Sequence, residues 1–406
     1  MRAQHEPPQS NGASEEGRPG NAALTALLTC AMAFSMMQLF LLGALGPRLV
    51  GELGISPTVL GLTTTFGFGT AAVLSPLGGR LVDRVGPRRS TVALLLVAAA
   101  SLALIGSAPG AGLLLAAVSL GGLPQALANP ATNKAVLAAV PPDRRGPVTG
   151  MKQSGVQLGA FAAGFPLAVL AGSVGWRGAV WTAAGAAAAA AAWAAVALPP
   201  DAPSRRPGLS HPVMFRGTVA WLAGFSLLLG SGIASVNTYL ALYGSRSLGL
   251  DATAAAALVA VLGVAGIAGR VGWSKAAGGP GRAEVLPARL AAGAVGAALL
   301  LAGAAQLHAL VWAAAVAVGV FAVSGNAVSM VLVMKRAVQG RAGMDSALVS
   351  AGFFAGFAVG PPLFGVLLEA AGYVPGWLLV AAEFAGACAI AALWALRDRR
   401  GKAASA

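Results

Sequence analysis

The chain has 406 residues, of which 57% are hydrophobic and 10% charged, and its mean hydropathy is +0.76. A soluble domain carries roughly 25% charged residues, so this composition cannot clothe a water-facing surface and excludes a soluble globular protein. The formal net charge of +14 does not indicate a nucleic-acid binder, because Lys and Arg fall in short bursts between apolar runs rather than on one aromatic-laced face or tail.

Residues 1–21 are polar, Gly/Pro-rich and mixed in charge; no apolar h-region precedes a small-residue cleavage site, so they are expected to form a disordered cytoplasmic tail. A membrane-crossing helix needs ~20 mostly apolar residues. That length picks out spans at 22–45, 57–78, 90–108, 111–135, 147–172 and 177–198. After a Pro-rich stretch come 216–243, 252–274, 285–306, 309–334, 344–369 and 375–396. The domains read as an N-terminal six-helix bundle (22–198), a cytoplasmic linker (199–215), a C-terminal six-helix bundle (216–397) and a short cytoplasmic tail (398–406). Cys30 and Cys388 lie inside apolar segments, so no disulfide framework follows.

Basic residues set the orientation. The connections on the tail side carry Arg80, Arg84, Arg88 and Arg89, then Lys134, Arg144 and Arg145, then Arg205 and Arg206. Later ones carry Arg270, Lys275 and Arg282, then Lys335, Arg336 and Arg341, then Arg397, Arg399, Arg400 and Lys402. The opposite connections hold Arg48, Arg177 and Arg246. Both termini are therefore expected in the cytoplasm. A shift of 196 residues also lays Arg145, Ser154, Phe161, Gly164 and Pro166 on Arg341, Ser350, Phe357, Gly360 and Pro362, which suggests a duplicated six-helix unit.

Between spans 2 and 3 stands Gly79-Arg80-Leu81-Val82-Asp83-Arg84-Val85-Gly86-Pro87-Arg88-Arg89. This resembles the signature loop of the major facilitator superfamily, G-x-x-x-D-R-x-G-R-R in outline, with Pro87 where a basic residue is usual. The resemblance runs from residue 22 to 397 and implies an all-α membrane fold: twelve transmembrane helices in two pseudo-symmetric six-helix bundles. Gly79 and Gly86 would allow close approach and a tight turn. Asp83 is suited to a helix N-terminus, where exposed amides and the dipole favour negative charge. By family analogy the recipient is helix 11, near Gly343. Arg84 or Arg88 is then placed to pair with Asp143, making a cytoplasmic latch between the halves. The alternative is a simple positive-inside anchor. Gly269-Arg270 reads as a remnant of a second copy, with Trp273 where the acid would stand.

The resemblance also implies that helices 1, 4, 7 and 10 line a central cavity. In that setting the substrate-binding candidates are Gln38 on helix 1 and Gln125, Asn129 and Asn133, which recur on one face of helix 4, a helix that Pro124 and Pro130 are expected to kink. Helix 5 adds Lys152 and Gln157, with Gln153 one turn before Gln157. Lys152 either snorkels to the cytoplasm or serves a cavity as an anion site. Helix 7 offers Ser231, Ser235, Asn237 and Tyr239 beside Gly230 and Gly232; these glycines could unwind it, or the hydroxyls back-bond within it. Helix 10 offers Asn326 with Ser324 and Ser329. Glu383 in helix 12 reads as a neutral or paired packing residue, the alternative being a coupling site. Glycines at four-residue spacing on helix 11 (Gly352, Gly356, Gly360) read as a packing face.

No G-x-x-x-x-G-K-[ST] loop occurs, and His5, His211 and His308 are too scattered for a metal site, so neither cofactor nor metal is expected. The function that follows is secondary active transport, not enzymatic, of a small organic solute across the bacterial cytoplasmic (inner) membrane by alternating access. Lys152 and the broken Gly-Pro pattern Gly164-Phe165-Pro166 favour a metabolite or anion; the alternative is efflux of a drug-like or toxic compound by proton antiport. The expected partners are the solute and the bilayer, with a coupling proton left open, no nucleic acid, and a monomeric chain.

Overall fold

The computed structural model describes residues 21–141, 145–201, 217–278, 283–336 and 342–404. Among them every regular element is a helix. The first half contains α1 (Asn21–Ala44), the short α2 (Gly46–Leu53), α3 (Pro57–Val85), α4 (Pro87–Gly106), α5 (Ala111–Leu120) with α6 (Gly122–Ala139), α7 (Arg145–Gly164) and α8 (Pro166–Ala197). The second half contains α9 (Gly217–Leu248), α10 (Ala252–Gly278), α11 (Leu286–Gly303), α12 (Leu310–Ala317), a π-helical stretch (Val318–Val323), α13 (Ser324–Arg336), α14 (Ala342–Ala371) and α15 (Tyr373–Ala404).

Eleven of the described segments are long and apolar enough to cross a membrane. The fifth expected span is the one missing from that set. It runs along α7 and the first turns of α8, and its start is diluted by Arg145, Lys152, Gln153 and Gln157. It still packs lengthwise between α1 and α10. Gly175, at φ 75° and ψ 164°, is the non-helical point inside α8 where span 5 turns into span 6, a conformation that a side chain would strain.

Local chemistry accounts for the ends. Ser56 accepts a hydrogen bond from the Val59 amide at 3.3 Å and Pro57 opens α3, the usual pairing of a cap with a proline in the first turn. Three boundaries differ from the sequence reading. The stretch from Gly79 to Val85 is not a loop but the end of α3, because Arg80, Asp83 and Arg84 mark where the apolar run stops rather than where the helix stops. Span 4 breaks at Gly121 ahead of Pro124, and Pro130 is carried inside α6. Arg270 lies within α10, not in a connection.

Small residues let the helices approach closely. A Cβ on Gly352, Gly356 or Gly360 would run into the backbone of α9 at Ala223, Leu227 or Ser231, so the glycine stripe of α14 is a packing face. Within the first half, Gly155 and Gly159 of α7 meet Thr29 and Ala33 of α1 in the same way. The halves meet along α3 with α14, α7 with α10, and α1 with α9.

Candidate functional site

The two ends of the seam differ. On the side opposite the termini, Tyr239 of α9 places its hydroxyl 2.7 Å from the Pro57 carbonyl and 2.9 Å from that of Pro361. Glu369 near the end of α14 accepts from the Thr58 amide of α3 at 2.8 Å. Thr65 donates to the Ala358 carbonyl at 2.6 Å, and the Phe68 ring lies 4.6 Å from that of Phe357 and 5.8 Å from that of Phe354. Gly61 sits where a Cβ would strike Tyr239 and Pro361. The second seam behaves alike: Gly164 faces Ala256 and Ala260, and Gly263 faces the Gln157–Phe161 backbone. The seams of α3 with α14 and of α7 with α10 are thus zipped from this end to mid-span, with Tyr239 of α9 tied into the first.

On the side of the termini several bonds join elements of the same half. The Asp201 carboxylate accepts from the amides of Arg88 (2.8 Å) and Arg89 (3.0 Å), capping α4, while the Arg88 guanidinium reaches the Ala195 carbonyl. Lys134 donates to the Val82 carbonyl at 3.2 Å. In the second half Arg336 bridges Asp398 and Glu284, the latter at 2.7 Å, and stands over the Trp394 ring; its hydrogen bond to Asp398 leads in raising its pKa. Among the described residues, α6 packs on α1, α3, α4 and α7, and α13 on α9, α10, α11 and α14, so neither runs along the opposite half.

Between these ends lie the buried polar groups. Lys152 is fully buried and its Nζ donates to Thr132 Oγ1 at 2.7 Å; Thr132 in turn donates to the Ala128 carbonyl at 2.6 Å. Beside them Gln153 donates to Asn129 Oδ1 at 2.8 Å. In the second half Ser231 donates to Glu383 Oε1 at 2.5 Å.

The profile of the family described as Major Facilitator Superfamily matches residues 27–344. The chain belongs to the major facilitator superfamily. The fold agrees with that of a bacterial homologue of the human lysosomal transporter Spinster. Its inward-facing, unoccupied structure has a TM-score of 0.71 at 15% identity and covers 95% of this chain and 98% of that one. The occupied structure gives 0.71 at 16%, covering 94% and 98%. A mutant of the nucleoside transporter NupG gives 0.72 at 13%, covering 91% and 98%. No curated protein matches the sequence.

Within the signature segment Gly86 is the residue whose identity the backbone fixes. Its φ of 95° and the Asp201 carboxylate, which occupies the place a Cβ would take, both require glycine. Among the described residues nothing lies within 4 Å of where a Cβ on Gly79 would stand. Arg84 and Arg89 are exposed; Asp143 and the side chain of Asp83 lie outside the described residues.

The candidate binding residues separate into groups. Gln38 turns into the first half, donating to the Val118 carbonyl at 3.3 Å and accepting from Ser101 at 3.2 Å, beside a void of about 10 Å³. That space suits one water, not an organic solute. Two of the α9 candidates back-bond within a helix that stays wound, Ser235 to Ser231 O at 3.0 Å and Asn237 to Ile233 O at 2.9 Å, while Ser231 turns to Glu383 and Tyr239 to Pro57 and Pro361. Gln125 and Gln157 are buried with carboxamide atoms unpartnered, Asn326 is half-buried with Oδ1 unpartnered, and Asn133 is exposed. Gln157 lies against Gly263 and Gly266 of α10 on the seam, and Lys152 and Thr132 join α7 to α6. Glu369, Thr58 and Asp201 were missed, since each acts through a partner remote in sequence.

Proposed function

We propose that this chain is a secondary transporter that carries a small polar organic solute across the cytoplasmic membrane by alternating access, in a state open toward the cytoplasm. The observation that carries this reading is the asymmetry of the seam: zipped on the side opposite the termini, while among the described residues the helices of spans 4 and 10 pack chiefly within their own halves. The concentration of basic residues near the termini orients that open side to the cytoplasm. Asn129, Asn133, Gln157 and Asn326 are the polar groups best placed to meet a solute. Lys152 supplies positive charge behind Thr132, and Gln125 adds a carboxamide within the first half. Asp83, Arg84, Arg88 and Asp143 would hold the cytoplasmic side when it closes.

The test is uptake into proteoliposomes of radiolabelled lactate, succinate, benzoate, uridine and choline, with and without an imposed proton gradient. Accumulation of one of these that is saturable supports carriage and identifies the class. Asn129→Ala should then raise the apparent KM about tenfold, as expected for the loss of ~1–1.5 kcal/mol of hydrogen bonding. Equal leakage of all five into loaded and protein-free vesicles would contradict the reading.

A further inference from the structure

We propose that Arg270 is the cation of an anion site on the seam between α7, α10 and span 10, and that the carried solute bears a carboxylate. The inference rests on the transport reading and narrows it to a substrate class. Arg270 lies inside the crossing segment Ala252–Ala277, eight residues before α10 ends at Gly278. Among the described residues it makes no ion pair and no hydrogen bond, and its Nε is buried without a partner while the side chain as a whole is half-buried. An intramembrane cation held without a counter-charge calls for a ligand or a water-filled path. A positive-inside anchor would instead bring its whole guanidinium to the surface.

The neighbourhood supplies the rest of a site. Helical geometry sets Gly263, Gly266 and Arg270 on one face of α10. Gly263 meets the Gln157 backbone and Gly266 the Gln157 carboxamide, so the face bearing Arg270 is the one turned to α7. Gln157 Oε1 has no partner, and a carboxamide can be turned end for end to present its N–H. On the neighbouring face Gly269 abuts Ser324, whose hydroxyl is buried and unpartnered, and Asn326 Oδ1 is unpartnered as well. Ser324 follows directly on the π-helical stretch Val318–Val323, whose Gly319 presses on Leu262 and Gly266 of α10. Such π-turns interrupt a helix ladder mostly where function needs it. A planar guanidinium with carboxamide and hydroxyl donors matches a carboxylate, which it can bind through two parallel hydrogen bonds. Glu383, the buried acid of α15, is held by Ser231 and is not the missing counter-charge.

The experiment is thermal unfolding of the purified, detergent-solubilised chain in sodium acetate, lactate, succinate or benzoate, against sodium chloride of equal ionic strength, uridine and choline. The expected result is a rise of a few degrees in Tm with at least one carboxylate. Arg270→Gln should abolish it, Arg270→Lys should keep part of it, and Ser324→Ala should weaken the apparent affinity several-fold at unchanged basal Tm. If Arg270→Gln does not fold, Ser324→Ala and Gln157→Ala carry the test. No response to any carboxylate, or a response that survives Arg270→Gln or both softer variants, overturns the proposal. A uridine response alone, with uridine uptake in vesicles, overturns it while leaving the transport reading intact.

Discussion

Tyr239 of α9 and Pro57 of α3 lie 2.7 Å apart, hydroxyl to carbonyl, across the boundary between the two halves. The same hydroxyl is 2.9 Å from Pro361 of α14, so one buried side chain gathers three helices where the seam is tightest.

Tyr239→Phe removes that tie and keeps the ring stacked 4.6 Å from Phe364. The net value of a hydrogen bond is ~0.5–1.5 kcal/mol, so the balance should move toward the state open on the far side by up to about tenfold. A single cysteine at Thr65, in a background lacking Cys30 and Cys388, should react faster with an impermeant thiol reagent added from that side. Glu369→Gln should do the same more weakly, because its bond to the Thr58 amide is exposed and a carboxylate at a surface helix N-terminus contributes only ~0.3–1 kcal/mol. Equal reactivity in all three proteins would remove Tyr239 from the gate.

Gly86 and Asp201 should behave as a coupled pair. Asp201→Ala strips the cap from α4, at about 0.5–2 kcal/mol. Gly86→Ala forces a side chain into a glycine-only backbone conformation, about 1–3 kcal/mol, and into the carboxylate as well. The double variant should unfold at a higher temperature than the sum of the two losses predicts, since the collision is gone. Strict additivity in thermal scans would mean that the carboxylate leaves this position in solution.

Thr132 gives Lys152 its hydrogen-bond acceptor, at 2.7 Å. Thr132→Val should therefore cost ~1–3 kcal/mol, the penalty of leaving a buried polar group unsatisfied. Adding Lys152→Met should recover most of that loss, because replacing both partners by apolar groups of like shape removes the penalty. A neutral Thr132→Val would show that the ammonium has another acceptor available.

Eleven crossings were legible as long apolar runs, while the fifth is diluted at its start by Arg145, Lys152, Gln153 and Gln157. The signature segment was legible from Gly79 to Arg89, yet its shape was not. Charge at Arg80, Asp83 and Arg84 reports the membrane boundary, and the helix runs past that boundary to Val85. The same confusion put Arg270 in a connection. Polarity inside a span reveals that a partner exists without revealing where. Gln38 finds its partners inside its own bundle, Asn237 in its own backbone, and Tyr239 across the seam. Glu369 and Thr58 stand 311 residues apart, and nothing in either neighbourhood announces the other.

Alternating access requires the halves to part at the far side of the seam for a solute to pass. Thr65 and Ala358 touch there, hydroxyl to carbonyl at 2.6 Å, and both can be changed to cysteine in a background free of Cys30 and Cys388. Uptake of whichever panel solute the wild type accumulates should then be measured in proteoliposomes before oxidation, after it, and after reduction. The account predicts that the disulfide stops uptake and that reduction restores it. Undiminished uptake with the disulfide intact would contradict it.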